Sequence, residues 1–187
     1  MDLEWNDRRT RQFVCNVGLI TSDGPNGPNV MAAEWTYHVS YSPSLIMINI
    51  HKEDATAENI LKSKEFGVNL TAENQNHISS IAGNSSGSEV DKIAVLKELG
   101  VEFYQAKHIK APMIKGAAMH AECKLLKHEP LGDHHMFVGE VVELDADENI
   151  KPAVYHNGKY WKIGENIPRP SEEMRDRIKA LLEKHKK

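Results

Sequence analysis

Polar side chains gather where an apolar run in the first third of the chain ends. The run SLIMINI at 44–50 is followed by His51 and Lys52, and Thr56 comes four residues later. Hydroxyl and cationic groups beside a helix start are suited to binding an anion, because the unpaired N–H groups of the first helical turn add to them. We therefore expect an anion-binding corner at the end of this strand.

A loop rich in serine and glycine offers a second anion site further along the chain. Residues 83–88 read GNSSGS and precede a predicted helix. The hydroxyls of Ser85, Ser86 and Ser88, together with the N–H groups of such a loop, can cradle a phosphate. A flexible loop that binds no ligand can have the same composition. The loop therefore supports an anion site only in combination with the anion-binding corner at His51.

The strand before the apolar run carries unusually small side chains. Its sequence, NVMAAEW at 29–35, places two alanines close to a tryptophan. Small side chains leave room for a flat ring to lie over the strand, although a tightly packed strand has the same pattern. Taken with the corner and the loop, the strand favours a bulky anionic cofactor that contains a flat ring.

Nucleophilic catalysis has little support in the sequence. The two cysteines, Cys15 and Cys123, are far apart in apolar surroundings, and there is no CxxC pair. We expect both cysteines to be small buried hydrophobes rather than a nucleophile, a disulfide or zinc ligands.

A metal site also has a simpler alternative. His120 and Glu122 share one face of a predicted strand, and His134 and His135 lie at the start of another. Adjacent strand residues point to opposite faces, so at most one of the two neighbouring histidines can join a given site. We predict no metal.

Composition narrows the class of protein. The 187 residues are 40% hydrophobic and 27% charged, with a net charge of −4, which is typical of one globular domain over 1–187. An acidic chain argues against a nucleic-acid partner. No window is apolar enough for a membrane helix, and the polar N-terminus lacks an apolar signal core, so we expect a cytoplasmic protein with no membrane partner.

The periodicity predicts a mainly β protein with peripheral helices. Strands are predicted at 12–20, 30–38, 45–50, 65–70, 119–128, 136–144 and 160–163, and helices at 57–64 capped by Thr56, at 75–82, at 88–99 from a capping box at Ser88, and at 171–185. We expect the run at 45–50 to be buried on both faces. Hairpin-like strands indicate a closed or partly closed barrel, and the lack of a GxGxxG motif disfavours a Rossmann fold.

The order of these motifs resembles the flavin-reductase-like family over about residues 12–164. The matching segments are NVMAAEW, SLIMINIHKEDAT, EFGVNLT, the serine loop with VDKIA, LGDHHMFVGEVVE and a Tyr- and Gly-containing hairpin. The most specific is GDH before an apolar strand with Gly-Glu-Val. The family comprises FMN-binding split β-barrels, Greek-key-like, and includes flavoredoxins and the flavin reductases of two-component monooxygenases.

The resemblance implies FMN bound in a homodimer and reduced by hydride transfer from NADH or NADPH to flavin N5. It places the flavin ring beside Met31, Ala32, Ala33, Glu34, Trp35 and Thr36, the phosphate beside His51, Thr56 and Ser85, Ser86 and Ser88, and a bordering strand at Asn69 and Leu70. It gives His134 a catalytic position facing the flavin or the nicotinamide.

The chain departs from the family pattern at several of these positions. Glu34 stands where relatives often carry a small polar residue, and His51-Lys52 replaces a small or serine-containing pair. The loop at 83–88 has no arginine, which leaves the counter-charge of the phosphate to Lys52, His51 or a partner subunit.

Three alternatives to flavin reduction remain open at this point. The protein would be a flavoredoxin-type electron carrier with tightly bound FMN and a redox partner protein, or a reductase of ferric iron or another acceptor. From a different class, it would be an FMN-binding protein without redox turnover.

Overall fold

Strands make up most of the regular structure, as the sequence predicts. The structure is a computed structural model that describes residues 1–4 and 7–186. Its strands are β1 (Val14–Asn16), β2 (Gly18–Ser22), β3 (Asn29–Ala33), β4 (Thr36–Tyr41), β5 (Ser44–His51), β6 (Glu65–Leu70), β7 (Phe103–Gln105), β8 (Pro112–Ile114), β9 (Met119–Leu131), β10 (His134–Ala146), β11 (Val154–His156) and β12 (Lys159–Trp161). Its helices are a 3-10 turn (Thr10–Gln12), α1 (Ala55–Ser63), α2 (Asn76–Asn84), α3 (Lys92–Glu98) and α4 (Glu172–Lys184).

The main sheet of the fold has seven strands. Its strand order is β3-β2-β6-β9-β10-β5-β4, and all neighbours are antiparallel. The long hairpin of β9 and β10 turns at Gly132, whose φ of +60° suits glycine. Its register places His134 of β10 opposite His51 of β5. The sheet therefore brings the predicted catalytic histidine to the predicted anion corner.

The core lies on one face of this sheet. Its fully buried members include Ile20, Ile48, Phe66, Val68 and Phe137. Close packing also explains the glycine of the Gly-Glu-Val motif. A Cβ at Gly139 would lie 2.6 Å from Cζ of Phe66, so a larger side chain would force the core apart. A second cluster, which includes Leu19, Ile78 and Leu96, packs α2 and α3 against the sheet.

The prediction that the run at 45–50 is buried on both faces is wrong. β5 does lie between two strands, β10 and β4. However, only Ile46, Ile48 and Ile50 are buried, and the residues between them are partly exposed. One face of β5 belongs to the core and the other faces outward, toward the side that carries His51.

Two predicted strands are each broken in the middle. The strand predicted at 12–20 divides at Val17, because the Val17 carbonyl accepts hydrogen bonds from Thr71 while β1 turns away to pair with β11. The strand predicted at 30–38 divides at Glu34 and Trp35. There the Thr36 hydroxyl donates to the Ala33 carbonyl at 3.0 Å, and β4 pairs with β5 instead of β2.

Two predicted helix starts are also wrong. α1 begins at Ala55 with Asp54 as its N-cap, so Thr56 lies inside the first turn, where its hydroxyl accepts a hydrogen bond from Asn29 Nδ2 at 2.9 Å. α3 begins at Lys92, and its cap is Asp91, whose carboxylate accepts from Ala94 N–H. Ser88 caps no helix; its hydroxyl is hydrogen-bonded to that of Ser86.

The C-terminal part follows the sequence more closely. Asn157 and Gly158, with φ of 51° and 73°, form the hairpin turn between β11 and β12. The helix predicted at 171–185 is present as α4, and Ser171 is its N-cap. The small sheet of β1, β11 and β12 and the hairpin of β7 and β8 were not predicted. No helix within residues 1–4 and 7–186 is long and apolar enough to cross a membrane.

Candidate functional site

A groove runs between β3, the start of α1 and the end of α2. Its volume is about 390 Å³, within the range of small-molecule sites. Its lining residues are Asn29, Met31, Ala32, His51, Asp54, Ala55, Thr56, Ala82, Gly83, Ser85, Ser86, Gly87 and Lys92. The three features that sequence reasoning singled out, the strand corner, the serine loop and the alanine strand, all contribute side chains to it.

The remaining predicted site residues lie outside the lining of the groove. Asn69 is fully buried between strands, where its Nδ2 donates to the Leu19 carbonyl and its Oδ1 accepts from Ile114 N–H, both at 2.9 Å. Leu70 packs against the core. Asn69 therefore has two structural partners that account for its burial.

Four further candidates lie around the link between β3 and β4. Ala33 and Thr36 are buried at its two ends. Glu34 lies in the link itself, where loss of hydration raises the pKa of its carboxyl. The indole of Trp35 is exposed and reaches His134, with the two rings 4.8 Å apart.

His134 is held by its neighbour in the chain. Its Nδ1 lies 2.6 Å from Oδ1 of Asp133, and this hydrogen bond lowers the pKa of the Asp133 carboxyl. A carboxylate only accepts hydrogen bonds, so Nδ1 must carry the proton. The imidazole is 11% exposed and lies edge-on to His51, with centroids 5.5 Å apart. His134 therefore stands beside the groove, adjoining its lining through His51.

Lys52 and Ser88 lie near the groove without lining it. Lys52 N–H donates to the Asp133 carbonyl at 3.1 Å, which joins the end of β5 to the β9–β10 turn. Ser88 is tied to Ser86, with 2.7 Å between the hydroxyl oxygens. Both residues thus brace segments that do line the groove.

The main cation of the groove is a lysine that sequence reasoning missed. Lys92 is only 2% exposed, and its Nζ donates to the carbonyls of Ala82 and Ser85, each at 3.1 Å. Burial lowers its pKa to about 8, and the nearby Asp54 carboxylate opposes that shift. Burial raises the pKa of Asp54, while His51, Lys92 and His134 lower it. The groove therefore has a partly desolvated ammonium group at its serine end.

The predicted helix start at Ser88 conceals the position of Lys92 in the sequence. In the structure Lys92 is the first residue of α3, where the helix dipole disfavours a positive charge. A cation in that position needs an anionic or carbonyl partner to compensate, and here the end of α2 supplies two carbonyls. The same position is well suited to an anionic ligand, because the ammonium and the helix N-terminus then act together.

Comparison with known proteins identifies the family. The family model described as "Flavin reductase like domain" matches residues 10–164. The chain belongs to the flavin-reductase-like family. The resemblance drawn from the motif order is thus confirmed.

Relatives of this flavin-reductase-like protein match most of its length. An uncharacterized protein of Archaeoglobus fulgidus is 32% identical over 160 residues, covering 83% of this chain and 88% of its own. An NADH-dependent flavin reductase of a Rhodococcus species is 25% identical over 156 residues and covers 81% of each chain.

Solved structures confirm the predicted fold. The NADH:FAD oxidoreductase SgcE6 of Streptomyces globisporus matches with a TM-score of 0.77 and 22% identity, covering 88% of this chain and 98% of its own. At this identity the likeness establishes the architecture alone. The mainly β, split-barrel prediction for this flavin-reductase-like protein is therefore correct.

Proposed function

We propose that this protein binds FMN in the groove and catalyses its reduction by NADH or NADPH. The observation that carries the proposal is the buried ammonium of Lys92, which faces a groove lined by the hydroxyl residues Thr56, Ser85 and Ser86. A phosphate monoester is the ligand group that matches a cation, hydroxyls and helix N-termini together. We infer that the rest of the ligand is a flavin because the chain belongs to the flavin-reductase-like family.

The residues of the groove fit such a ligand. Lys92 would hold the phosphate, with the serine loop and Thr56 donating hydrogen bonds, and the small side chain of Ala32 would leave room over β3 for the flavin ring. Gly87 is required next to this end, because a Cβ there would lie 2.4 Å from Asn29 Nδ2. Asn29 in turn holds Thr56, so the loop, β3 and α1 form one connected wall.

The chain's own contribution to the reaction is positioning. FMN supplies the hydride-accepting chemistry when bound. The indole of Trp35 and the imidazole of His134 lie against each other beside the groove, where they can orient a planar nicotinamide. Asp133 keeps the proton of His134 on Nδ1, so the ring's orientation is set before any ligand arrives.

Steady-state assays test this function directly. We expect the protein to catalyse oxidation of NADH or NADPH when FMN is added, with a rate proportional to protein concentration and a maximum on FMN titration. Riboflavin, which lacks the phosphate, should require a higher concentration for the same rate. Failure of both nicotinamide nucleotides at every FMN concentration would contradict the proposal.

We also propose that the functional unit is a homodimer. Two apolar surfaces support this. The stripe of α4 is exposed, with Met174, Ile178 and Leu181 each more than 40% accessible, and the edge strand β4 exposes Val39 and Tyr41. Surfaces of this kind favour association between protein chains. Light scattering should give twice the mass of one chain at micromolar concentration, and the mass of a single chain would contradict it.

A further inference from the structure

Asp54 brings a carboxyl group into a groove whose other polar groups suit an anion. Among the described residues that line the groove, it is the only one with a carboxylate. Asp54 occupies the N-cap position of α1, where an aspartate usually accepts a hydrogen bond from the first helical turn. Its side chain makes no such bond. The carboxyl group is therefore not committed to the helix, and it shares the groove with Lys92 and Thr56.

The charged groups that surround Asp54 come from three other elements. His51 lies at the end of β5, Lys92 at the start of α3 and His134 at the start of β10. Loss of hydration raises the pKa of the Asp54 carboxyl, and the charges of these three side chains lower it by less. Asp54 is thus easier to protonate than an exposed aspartate even before an anion enters the groove.

We propose that Asp54 takes up a proton from the solvent when the phosphate of FMN enters the groove. The inference rests on the proposed function, which places a phosphate beside this carboxylate. Two anions in a poorly hydrated site repel each other, and protonation of one of them removes the repulsion. A neutral carboxyl group also has an O–H that can donate to a phosphate oxygen, whereas a carboxylate only accepts. Asp54 therefore sets how tightly the groove holds FMN at a given pH.

The decisive variant is Asp54→Asn, whose amide is neutral and can donate a hydrogen bond as the protonated carboxyl group does. At about pH 7 it should bind FMN about 10-fold more tightly than wild type, the equivalent of a rise of about one unit in the pKa of Asp54 on binding. This advantage should shrink as the pH falls toward about 5, because Asp54 of the free wild-type protein is then increasingly protonated. Riboflavin, which has no phosphate, should bind equally to both proteins. Quenching of flavin fluorescence gives all four affinities.

Glu53→Gln is the matched control for the loss of a negative charge. Glu53 is exposed and precedes Asp54 in the chain, but it does not line the groove. Its replacement should change FMN affinity less than about twofold at each pH, as expected for a well-hydrated charge. Asp54→Ser is a second neutral variant with a favourable N-cap residue, and it serves if the asparagine variant does not fold.

Calorimetry of FMN binding in buffers of different ionisation enthalpy counts the protons taken up. Between about pH 6 and pH 7, wild type should take up more protons per FMN than Asp54→Asn, with a difference of up to about one. The histidines, Lys92 and the phosphate also exchange protons on binding. The comparison with Asp54→Asn isolates the proton that Asp54 itself accepts.

The possible outcomes are separable. Tighter FMN binding by Asp54→Asn that fades at low pH, together with greater proton uptake by wild type, supports the inference. Weaker or equal FMN binding by the variant overturns it, and so does an advantage that is constant with pH or shared by riboflavin. In those cases FMN binding by wild type still supports the proposed function. A wild-type protein that binds no FMN contradicts the proposed function, and the inference fails with it.

Discussion

Replacing Lys92 with methionine is expected to weaken FMN binding about 10- to 100-fold, the effect of losing a charge-assisted hydrogen bond to an anion. Methionine fills a similar volume but provides no positive charge to the groove. The lost charge should weaken only the binding of the phosphate group. The affinity for riboflavin, which has no phosphate, should be nearly unchanged. The two dissociation constants can be compared by quenching of flavin fluorescence.

The pH dependence of FMN affinity gives an independent check on Lys92. Its pKa of about 8 means that the ammonium is largely charged at pH 7 and largely neutral at pH 9. FMN affinity in wild type should therefore fall as pH rises through about 8, whereas riboflavin affinity should stay flat. Bound phosphate favours the charged form, so the fall begins near the pKa of Lys92 in the free protein and levels off at the higher pKa of the complex. Lys92→Met should abolish the fall.

A matched control lies on the same helix. Lys97 is in the last turn of α3, outside the groove lining, so Lys97→Met removes an equal charge at a distance from the phosphate. It should leave FMN affinity unchanged within about twofold, the effect of a remote surface charge. Lys92→Met also leaves the Ala82 and Ser85 carbonyls unpaired, so its melting temperature must be recorded. Equal losses for FMN and riboflavin would show damage to the groove instead of a lost phosphate contact.

Replacing His134 with alanine is expected to slow flavin reduction about 10- to 100-fold while changing FMN affinity less than about threefold. The imidazole stands beside the groove lining and against Trp35, where it can orient a nicotinamide without holding the phosphate. Rapid mixing of FMN-loaded protein with NADH gives the reduction rate, and equilibrium titration gives the affinity.

The variant Asp133→Asn tests the orientation of the His134 ring while leaving the ring itself in place. An amide can accept from His134 Nδ1 but also presents an NH₂ group, so the ring is no longer fixed in one tautomer. Its reduction rate should lie between those of wild type and His134→Ala. Unchanged reduction kinetics in both variants would remove His134 from the account.

Local polar patterns in the sequence were informative about the groove. Hydroxyls and cations near helix starts suit anions, which predicts an anion site at His51, Thr56, Ser85 and Ser86, and all four line one groove. The error in the predicted start of α1 does not affect this prediction. Thr56 lies in the first turn of α1 instead of at its cap, and it faces the groove from there.

Long-range contacts set the limits of the sequence prediction. Lys92 is missed because the sequence predicts the helix start at Ser88, and the carbonyls of Ala82 and Ser85 become adjacent to its side chain only in the folded structure. The family resemblance places Asn69 beside the flavin, whereas its hydrogen-bond partners are Leu19 and Ile114, both distant in sequence. The breaks at Val17 and Glu34 likewise depend on tertiary hydrogen bonds.

The most direct test of the central claim is the visible spectrum of the FMN-loaded protein before and after NADH is added without oxygen. We expect a perturbed flavin spectrum on binding, loss of the oxidised flavin absorbance on adding NADH or NADPH, and its return on admitting air. A flavin spectrum that remains oxidised with both nucleotides would contradict the claim that this protein reduces flavin.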